Sequence, residues 1–323
     1  VAAAEFPGAI DEFGRTLALI EAADANIRRR FLELINDARG LQTLEEIEQL
    51  ILEGRGFEAL ALIDDVGPGL NEAIVAAYAA AGASVAAVIR QQALPLIQFN
   101  QLNTRGVSAL QESGARLIRE LQAQQAQAIS ITLQESVRAG LAPRQIAARV
   151  RGSIGLTSVQ AQWVANYRRE LQSLDPRALA RQLRDRRSDG VIRRAILNEN
   201  PLNAVQIENL VARYEARLLT MRANAIGKTE ALAAVNMGEH EMWLQAIDRG
   251  LNPALVEQEW GVLQDGRQRD SHDSMQGQLR PLGQSFISGR GAQLRFPGDP
   301  SAPAREVVSC RCVVARRFVE NPL

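Results

Sequence analysis

The sequence has two cysteines and two histidines in 323 residues, and Lys228 is its one lysine. Two cysteines cannot build a disulfide framework. No apolar run reaches the roughly 18 residues that a bilayer span needs. The N-terminal stretch VAAAEFPGAIDEF has no basic segment followed by an apolar one, so no signal peptide is expected and a cytoplasm, or a particle assembled in one, is the default setting. Net charge is absent as well. Lys plus Arg equals Asp plus Glu at 37 each, which removes any global pull toward nucleic acid or membrane. There is no repeat of fixed period and no low-complexity tract. No phosphate-binding GxxxxGK(S/T) pattern, paired-carboxylate arrangement or activated serine or cysteine stands out, so the chain is not expected to be an enzyme.

The charge that is present is unevenly spread. Residues 1–70 hold 14 acidic and 6 basic residues, near −8; residues 138–194 hold 13 arginines against 4 acids, near +9. Arginine in place of lysine fits either coding bias or a demand for forked guanidinium contacts to carboxylate or phosphate. In the basic stretch, Arg168, Arg169, Arg186, Arg187, Arg193 and Arg194 are the candidates for phosphate or partner contact. Only Trp163 and Tyr167 accompany them, so stacking on single-stranded bases is not indicated. Two readings stay open: a solvated helix face pairing with acidic surfaces such as residues 1–70, and non-specific phosphate contact.

Periodicity makes most of the chain helical. Leu17, Ile20, Ala23, Ile27, Phe31, Leu34, Ile35 and Ala38 recur at helical spacing. Gly40 closes that helix. Thr43 caps the next, with Glu46 completing a capping box. Gly67-Pro68-Gly69 predicts a break. The alanine-rich Ile74–Ile89 stretch reads as a tightly packed core helix too short to span a bilayer. Leu110, Leu117, Leu121, Ile129 and Leu133 mark a long helix over 107–139, with Gly140 as its C-terminal stop and Pro143 in the first turn of the next. Thr157 restarts the chain; helices are expected at about 158–173, 176–186 and 190–198. Asn203 caps a very long helix reaching about residue 247.

After Gly250 the period changes. Trp260–Leu263, Gln293–Phe296 and Val307–Val314 read as short strands joined by Gly/Pro-rich turns. The expected fold is therefore mainly α with a small C-terminal α+β module: multi-helix N-terminal and middle regions, a long central helix, and short strands after residue 255. The expected divisions are an N-terminal helical region (1–104), a long-helix middle region (105–250) and the module (251–323). Trp260, Leu263, Leu294, Phe296 and Val313 are its expected core.

Chemistry concentrates in that module. Asp265, Arg267, Arg269 and His272 fall together as either an internal salt-bridge network or an acid/base set. Cys310-Arg311-Cys312 places residues i and i+2 on one face of a strand. With His272, and Asp265 as a fourth ligand, both sulfurs fit a structural zinc site; two buried thiols or a redox pair are the other readings. Phe296-Pro297-Gly298-Asp299-Pro300 reads as a rigid turn. His240 is expected at the surface or an interface, near the end of the long helix. A metal-dependent enzyme or effector using the Asp/Arg/His/Cys cluster is the alternative function.

The order of these elements from about Gly155 to Phe318 resembles the phage Mu F-like minor head proteins, the phage head morphogenesis family. The resemblance runs through Gly155-Leu156-Thr157 and Tyr167-Arg168-Arg169-Glu170-Leu171. It continues through Arg222 to Glu230 (RANAIGKTE, carrying Lys228, Thr229 and Glu230), with Asn236 and Gly238. Gly227 and Lys228 depart from the family pattern. It then takes in Trp260, Asp265, Arg267, Arg269, His272, Met275, Gly277-Gln278, Phe296 to Pro300, Ala304, Glu306 and Cys310 to Cys312. The resemblance implies a minor protein inside the head of a tailed bacteriophage, made in the host cytoplasm. It implies binding to the portal protein and action in head morphogenesis and DNA packaging or delivery. Major capsid or scaffolding protein and packaged DNA are the further implied partners. Some family members carry a toxin domain after this module; the sequence given stops soon after Phe318, so none is expected.

Overall fold

The computed structural model describes residues 10–319; the stretch on which the signal-peptide expectation rests lies partly outside them. Helices dominate and strands begin only at Val256. In order these are α1 (Ile10–Leu41), α2 (Leu44–Leu52), α3 (Val66–Gln92), α4 (Thr104–Arg138), α5 (Pro143–Ser153), α6 (Ser158–Gln172), α7 (Asp189–Leu197) and α8 (Ala204–Asp248). The module then adds β1 (Val256–Gly261), α9 (Asp270–Asp273), β2 (Leu279–Pro281), β3 (Phe286–Ile287), β4 (Gln293–Leu294), α10 (Ala304–Val307) and β5 (Val313–Phe318). The fold is mainly α with a small α+β module at its C-terminal end.

Local chemistry sets most helix ends. Thr43 and Thr157 each accept a hydrogen bond from the backbone N–H three residues on, and Glu46 and Gln160 return the bond, closing two capping boxes. Asn203 caps α8 by accepting from the Gln206 N–H at 2.9 Å. Gly140 stops α4 with φ +64°, a backbone conformation that costs glycine least. Gly67-Pro68-Gly69 does not break the chain. These residues lie in the first turn of α3, where a backbone N–H has no partner within the helix, so proline's lack of one costs nothing. The helix on the alanine-rich stretch is accordingly 27 residues long, not the short one expected. Together with the preceding 3-10 turns, Gly56–Gln92 is long and apolar enough to cross a membrane by length and composition; 44% of its most apolar window is buried in protein.

Two compact units emerge, each assembled from separated segments. One comprises Val1–Arg30, Leu70–Gly114 and Asn224–Leu323; the other comprises Phe31–Gly69 and Ala115–Ala223. The linear divisions fall at the start of α4 and at the end of α8, whereas these units follow packing.

In the second unit, the Gly155-Leu156-Thr157 turn is held from several sides. Arg39 donates to the Ile154 carbonyl at 2.7 Å, Arg222 to the Gly155 carbonyl at 2.8 Å, and the Gly155 N–H donates to Gln125 at 2.7 Å. Arg222 also lies over the Phe31 ring.

In the first unit the C-terminal half of α8 is buried all round, from Ala231 to Trp243, as a helix at the centre of its neighbours must be. Gly238 allows this. A Cβ at that position would stand 2.2 Å from the Tyr78 carbonyl oxygen of α3. Beside α8 lies a three-stranded antiparallel sheet, β2-β1-β5. Trp260 pairs with Val314, and Glu257 with Arg317, whose guanidinium reaches both Glu257 (2.7 Å) and Glu259 (3.1 Å). β5 is apolar on both sides: Val313 and Ala315 meet Phe13 of α1, while Val314 joins Trp260. Trp260, Leu294, Phe296 and Val313 are buried as expected. Leu263 is only half-buried, and Val262 takes its place in the core. Parity explains the correction, because residues 260 and 262 share a strand face and residue 263 does not.

Candidate metal centre

His272 is carried on α9, one short turn beyond the Asp265-Gly266 bend, and is 1% exposed. The two cysteines lie just before β5 and not within a strand. They follow α10 and a turn in which Ser309 adopts φ +55°. That turn, rather than strand alternation, brings both sulfurs to one centre. His272 Nδ1 lies 3.3 Å from Cys312 Sγ and 3.4 Å from Cys310 Sγ. The three donor atoms all fall within 4.8 Å of one another, and all three residues are buried. A tetrahedron with bonds of about 2.0–2.3 Å has edges of about 3.3–3.8 Å. The spacing from nitrogen to each sulfur therefore matches that of donors already arranged for a metal ion, and this group could hold one.

The surroundings favour the ligating forms. His272 Nε2 faces Glu306 Oε2 at 3.1 Å, so a proton on that nitrogen is donated to the carboxylate and Nδ1 is left to face the sulfurs. A carboxylate behind the imidazole is the usual orienting partner of a metal-bound histidine. Ser271 donates to the same Glu306 oxygen at 3.0 Å, and Glu306 itself is fully buried. The Cys312 N–H donates to Cys310 Sγ at 3.4 Å. The Cys310 thiol is held well below its ordinary value by the hydrogen bond from the Cys312 thiol and by His272, while the Cys312 thiol is pushed up by the same shared proton. The indole N–H of Trp260 finds no acceptor among the described residues, yet it acts on Cys312 in the direction of the thiolate.

The remaining residues singled out in the sequence have other partners. Asp265 is not a fourth donor in this group. Its carboxylate is forked by Arg311, with one contact at 2.7 Å, and accepts from the Arg267 N–H at 3.1 Å. Arg269 donates to the Val308 carbonyl. Thr229 accepts from the Ser309 N–H at 3.2 Å, which ties α8 to the turn before the cysteines. Lys228 is exposed and Glu230 half-buried. The Gln278 side-chain amide brackets Ile287, donating to its carbonyl and accepting from its N–H. Asp299 is buried and takes Arg295 Nε and Nη2 at 2.9 and 2.7 Å, while Gly298, next to the buried Pro297, approaches the Ala233 backbone. Gly277 adopts φ +69°. Sequence reasoning missed the parts played by Glu306, Ser271 and the Trp260 indole. The one signal for Glu306 was its place in the resemblance.

No family model matches the chain. No solved structure matches it. Over 97 residues it is 30% identical to the uncharacterized protein YqbB of Bacillus subtilis (strain 168). The match covers 29% of this chain and spans 30% of that protein's length.

The arginine-rich stretch is laced with acids from its own unit. Arg168 is buried and pairs with Glu208; Arg169 reaches Glu135 at 3.2 Å. Asp185 collects Arg187 at 3.0 Å and Arg213 and Arg217 at 3.3 Å, and its carboxyl is held below the usual range, chiefly by Arg187. Arg193 lies 3.9 Å from Asp189, and Arg194 donates to the Gly190 carbonyl. Arg186 is exposed. From the acidic N-terminal stretch, Glu45 and Glu48 face Arg144.

His240 corrects an expectation. It is 7% exposed on the buried half of α8, against Phe296, with Nδ1 unpartnered among the described residues. Burial first, then Arg316 and Arg295, push it down to about 3, against the pull of Asp299. An unfolded histidine titrates near 6.5. Its folded value is depressed, so the unfolded chain binds the extra proton below that pH. The stability this residue protects is intact above about pH 6.5 and is lost as pH falls toward 3. Between pH 6 and pH 4 the loss amounts to roughly 2.5 kcal/mol, at about 1.4 kcal/mol per unit. Urea unfolding of wild type and His240→Gln at both pH values checks this: the variant is expected to lose less by that amount, and equal losses would remove His240 from the account.

Proposed function

We propose that this chain is a minor head protein of a tailed bacteriophage, made in the host cytoplasm, bound to the portal inside the head, and acting in head morphogenesis and in DNA packaging or delivery. The observation that carries the reading is that the residues of the Mu F-like resemblance touch one another. Arg222 of the RANAIGKTE element holds the Gly155-Leu156-Thr157 turn. Thr229 of the same element holds the turn before the cysteines. Asp265 meets Arg311, and His272 meets Cys310, Cys312 and Glu306. A set of residues scattered over some 160 positions forms mutual contacts within each unit when its spacing reflects one architecture.

The metal in this reading is zinc. Two thiolates and one imidazole form a borderline-soft donor set that suits zinc, which needs no redox partner and accepts four-coordinate geometry. Bound there, it fastens α9 to the segment that leads into β5 and so stabilises the module. The exposed Arg186, Arg193 and Arg194 are the side chains offered to packaged DNA, through phosphate contacts without base reading.

Mass spectrometry of purified, cross-linked particles tests the assignment. The chain is expected in the virion at low copy number with cross-links to the portal. Particles that lack it, together with assembly intermediates that show no portal cross-link, would overturn the reading.

A further inference from the structure

The three donors leave one corner of a tetrahedron without a protein ligand among the described residues. A closed structural site has four protein ligands; an open one keeps a position for water or substrate. The surroundings of this corner are specific. Glu306 lies behind the imidazole, on Nε2, and is turned away from the sulfurs. Asp265, the fourth ligand expected from the sequence, is engaged by Arg311, and Asp273 accepts from Gln264 at 3.1 Å. A recess of about 20 Å³ borders two of the three ligand residues, His272 and Cys312. Roughly 10–15 Å³ of such space is enough for one water. The rest of its rim is Val262, Leu263, Gln268, Ser309 and three arginines, Arg267, Arg269 and Arg311. Of the three guanidiniums, Arg311 and Arg267 share the single Asp265 carboxylate, Arg267 from 3.5 Å with its side chain 78% exposed, and Arg269 spends one N–H on a backbone carbonyl. The mouth of the recess therefore carries a surplus of positive charge, with donors free to turn toward an anion.

We propose that the metal centre is open: the fourth position is held by a solvent molecule that exchanges for one oxygen of a phosphate group, whose remaining oxygens are taken by Arg267 and Arg269. This rests on the reading that His272, Cys310 and Cys312 bind a metal. The recess admits one oxygen atom and the arginines stand at its rim, so the ligand class is an oxyanion with several acceptor oxygens. Guanidinium forks match that geometry. A small neutral molecule would leave the arginines unsatisfied, and a cation would be repelled.

Cobalt(II) substitution of the full chain separates the two claims, because the visible bands of tetrahedral cobalt report its ligands directly. The full chain is expected to take up about one equivalent of cobalt with thiolate-to-metal absorption. Titration with inorganic phosphate is then expected to shift the visible bands saturably. Arg267→Gln, at an exposed position, is expected to leave cobalt uptake unchanged and to weaken the phosphate response about tenfold, the loss of one charge-assisted hydrogen bond. Cobalt bound with bands that phosphate leaves unmoved would overturn the open site and leave the metal reading standing. Failure of the chain to bind cobalt at all would overturn the metal reading and the open site together. An unchanged phosphate response in both Arg267→Gln and Arg269→Gln would overturn the assignment of the arginines.

Discussion

Chelation is expected to strip about one equivalent of zinc from the chain and to lower the melting temperature of the C-terminal module. The zinc ion binds only the folded arrangement, so its contribution follows mass action: at a thousandfold excess of free zinc over Kd it amounts to about 4 kcal/mol. Cys312→Ser removes a sulfur donor that lies 3.3 Å from His272 Nδ1 and supplies a hydroxyl that binds zinc poorly. This variant is expected to lose stoichiometric zinc and to melt like the chelated protein, with no further response to chelator. Glu306→Gln makes a finer cut. It keeps all three donors but replaces the carboxylate that accepts from His272 Nε2, and is expected to weaken zinc binding about 10- to 100-fold without abolishing it. Metal analysis with thermal unfolding reads all three. A blank analysis of the wild type, with thiols that alkylate slowly, would return the cysteines to the role of buried apolar side chains.

The convergence of these residues was legible in the sequence, but for an incomplete reason. The Cys-x-Cys spacing and the preceding histidine pointed to one centre through strand alternation. The chain reaches that centre through a left-handed Ser309 and a one-turn helix, with β5 starting only at Val313. The substitution of one local geometry for another did not matter to the outcome because both put i and i+2 side chains on a common side. Glu306 had no such signal, because a lone glutamate in a four-residue helix has no periodicity to mark it. The capping boxes at Thr43 and Thr157 were readable because their partners lie three residues apart, inside a single turn. Strands of two and three residues, β2 and β3, are set by pairing across loops, which leaves little in the local pattern, whereas β4 falls within the expected Gln293–Phe296 strand. The assembly of each unit from separated segments was likewise unreadable from any single window. His240 was misplaced for a related reason: the groups around it, Phe296, Asp299 and Arg316 of β5, are distant in sequence, while its neighbours in the chain are the charged Glu239 and Glu241.

Phe296→Ala is expected to cost roughly 3–5 kcal/mol, the range for deleting a large aromatic from a packed interior. Phe296 is 1% exposed, its ring lies 5.2 Å from that of His240, and the Arg295 guanidinium covers it at 5.3 Å. Denaturant unfolding measures the loss, and a change below about 0.5 kcal/mol would show the ring to be outside the core. Leu263→Ala, at the half-buried position next to Val262, is expected to cost clearly less, since part of its side chain is already in water. The two variants also differ in their response to pH. Removing the Phe296 ring opens the apolar wall against which His240 is buried, and burial is the main cause of that histidine's depressed titration. Water admitted there lets the imidazole take its proton at a higher pH in the folded state. The folded and unfolded values then draw together, and the acid sensitivity between pH 6 and pH 4 becomes shallower in Phe296→Ala but not in Leu263→Ala. Parallel pH dependences in the two variants would mean that the His240 environment is maintained by Arg316 and Arg295 rather than by the aromatic wall.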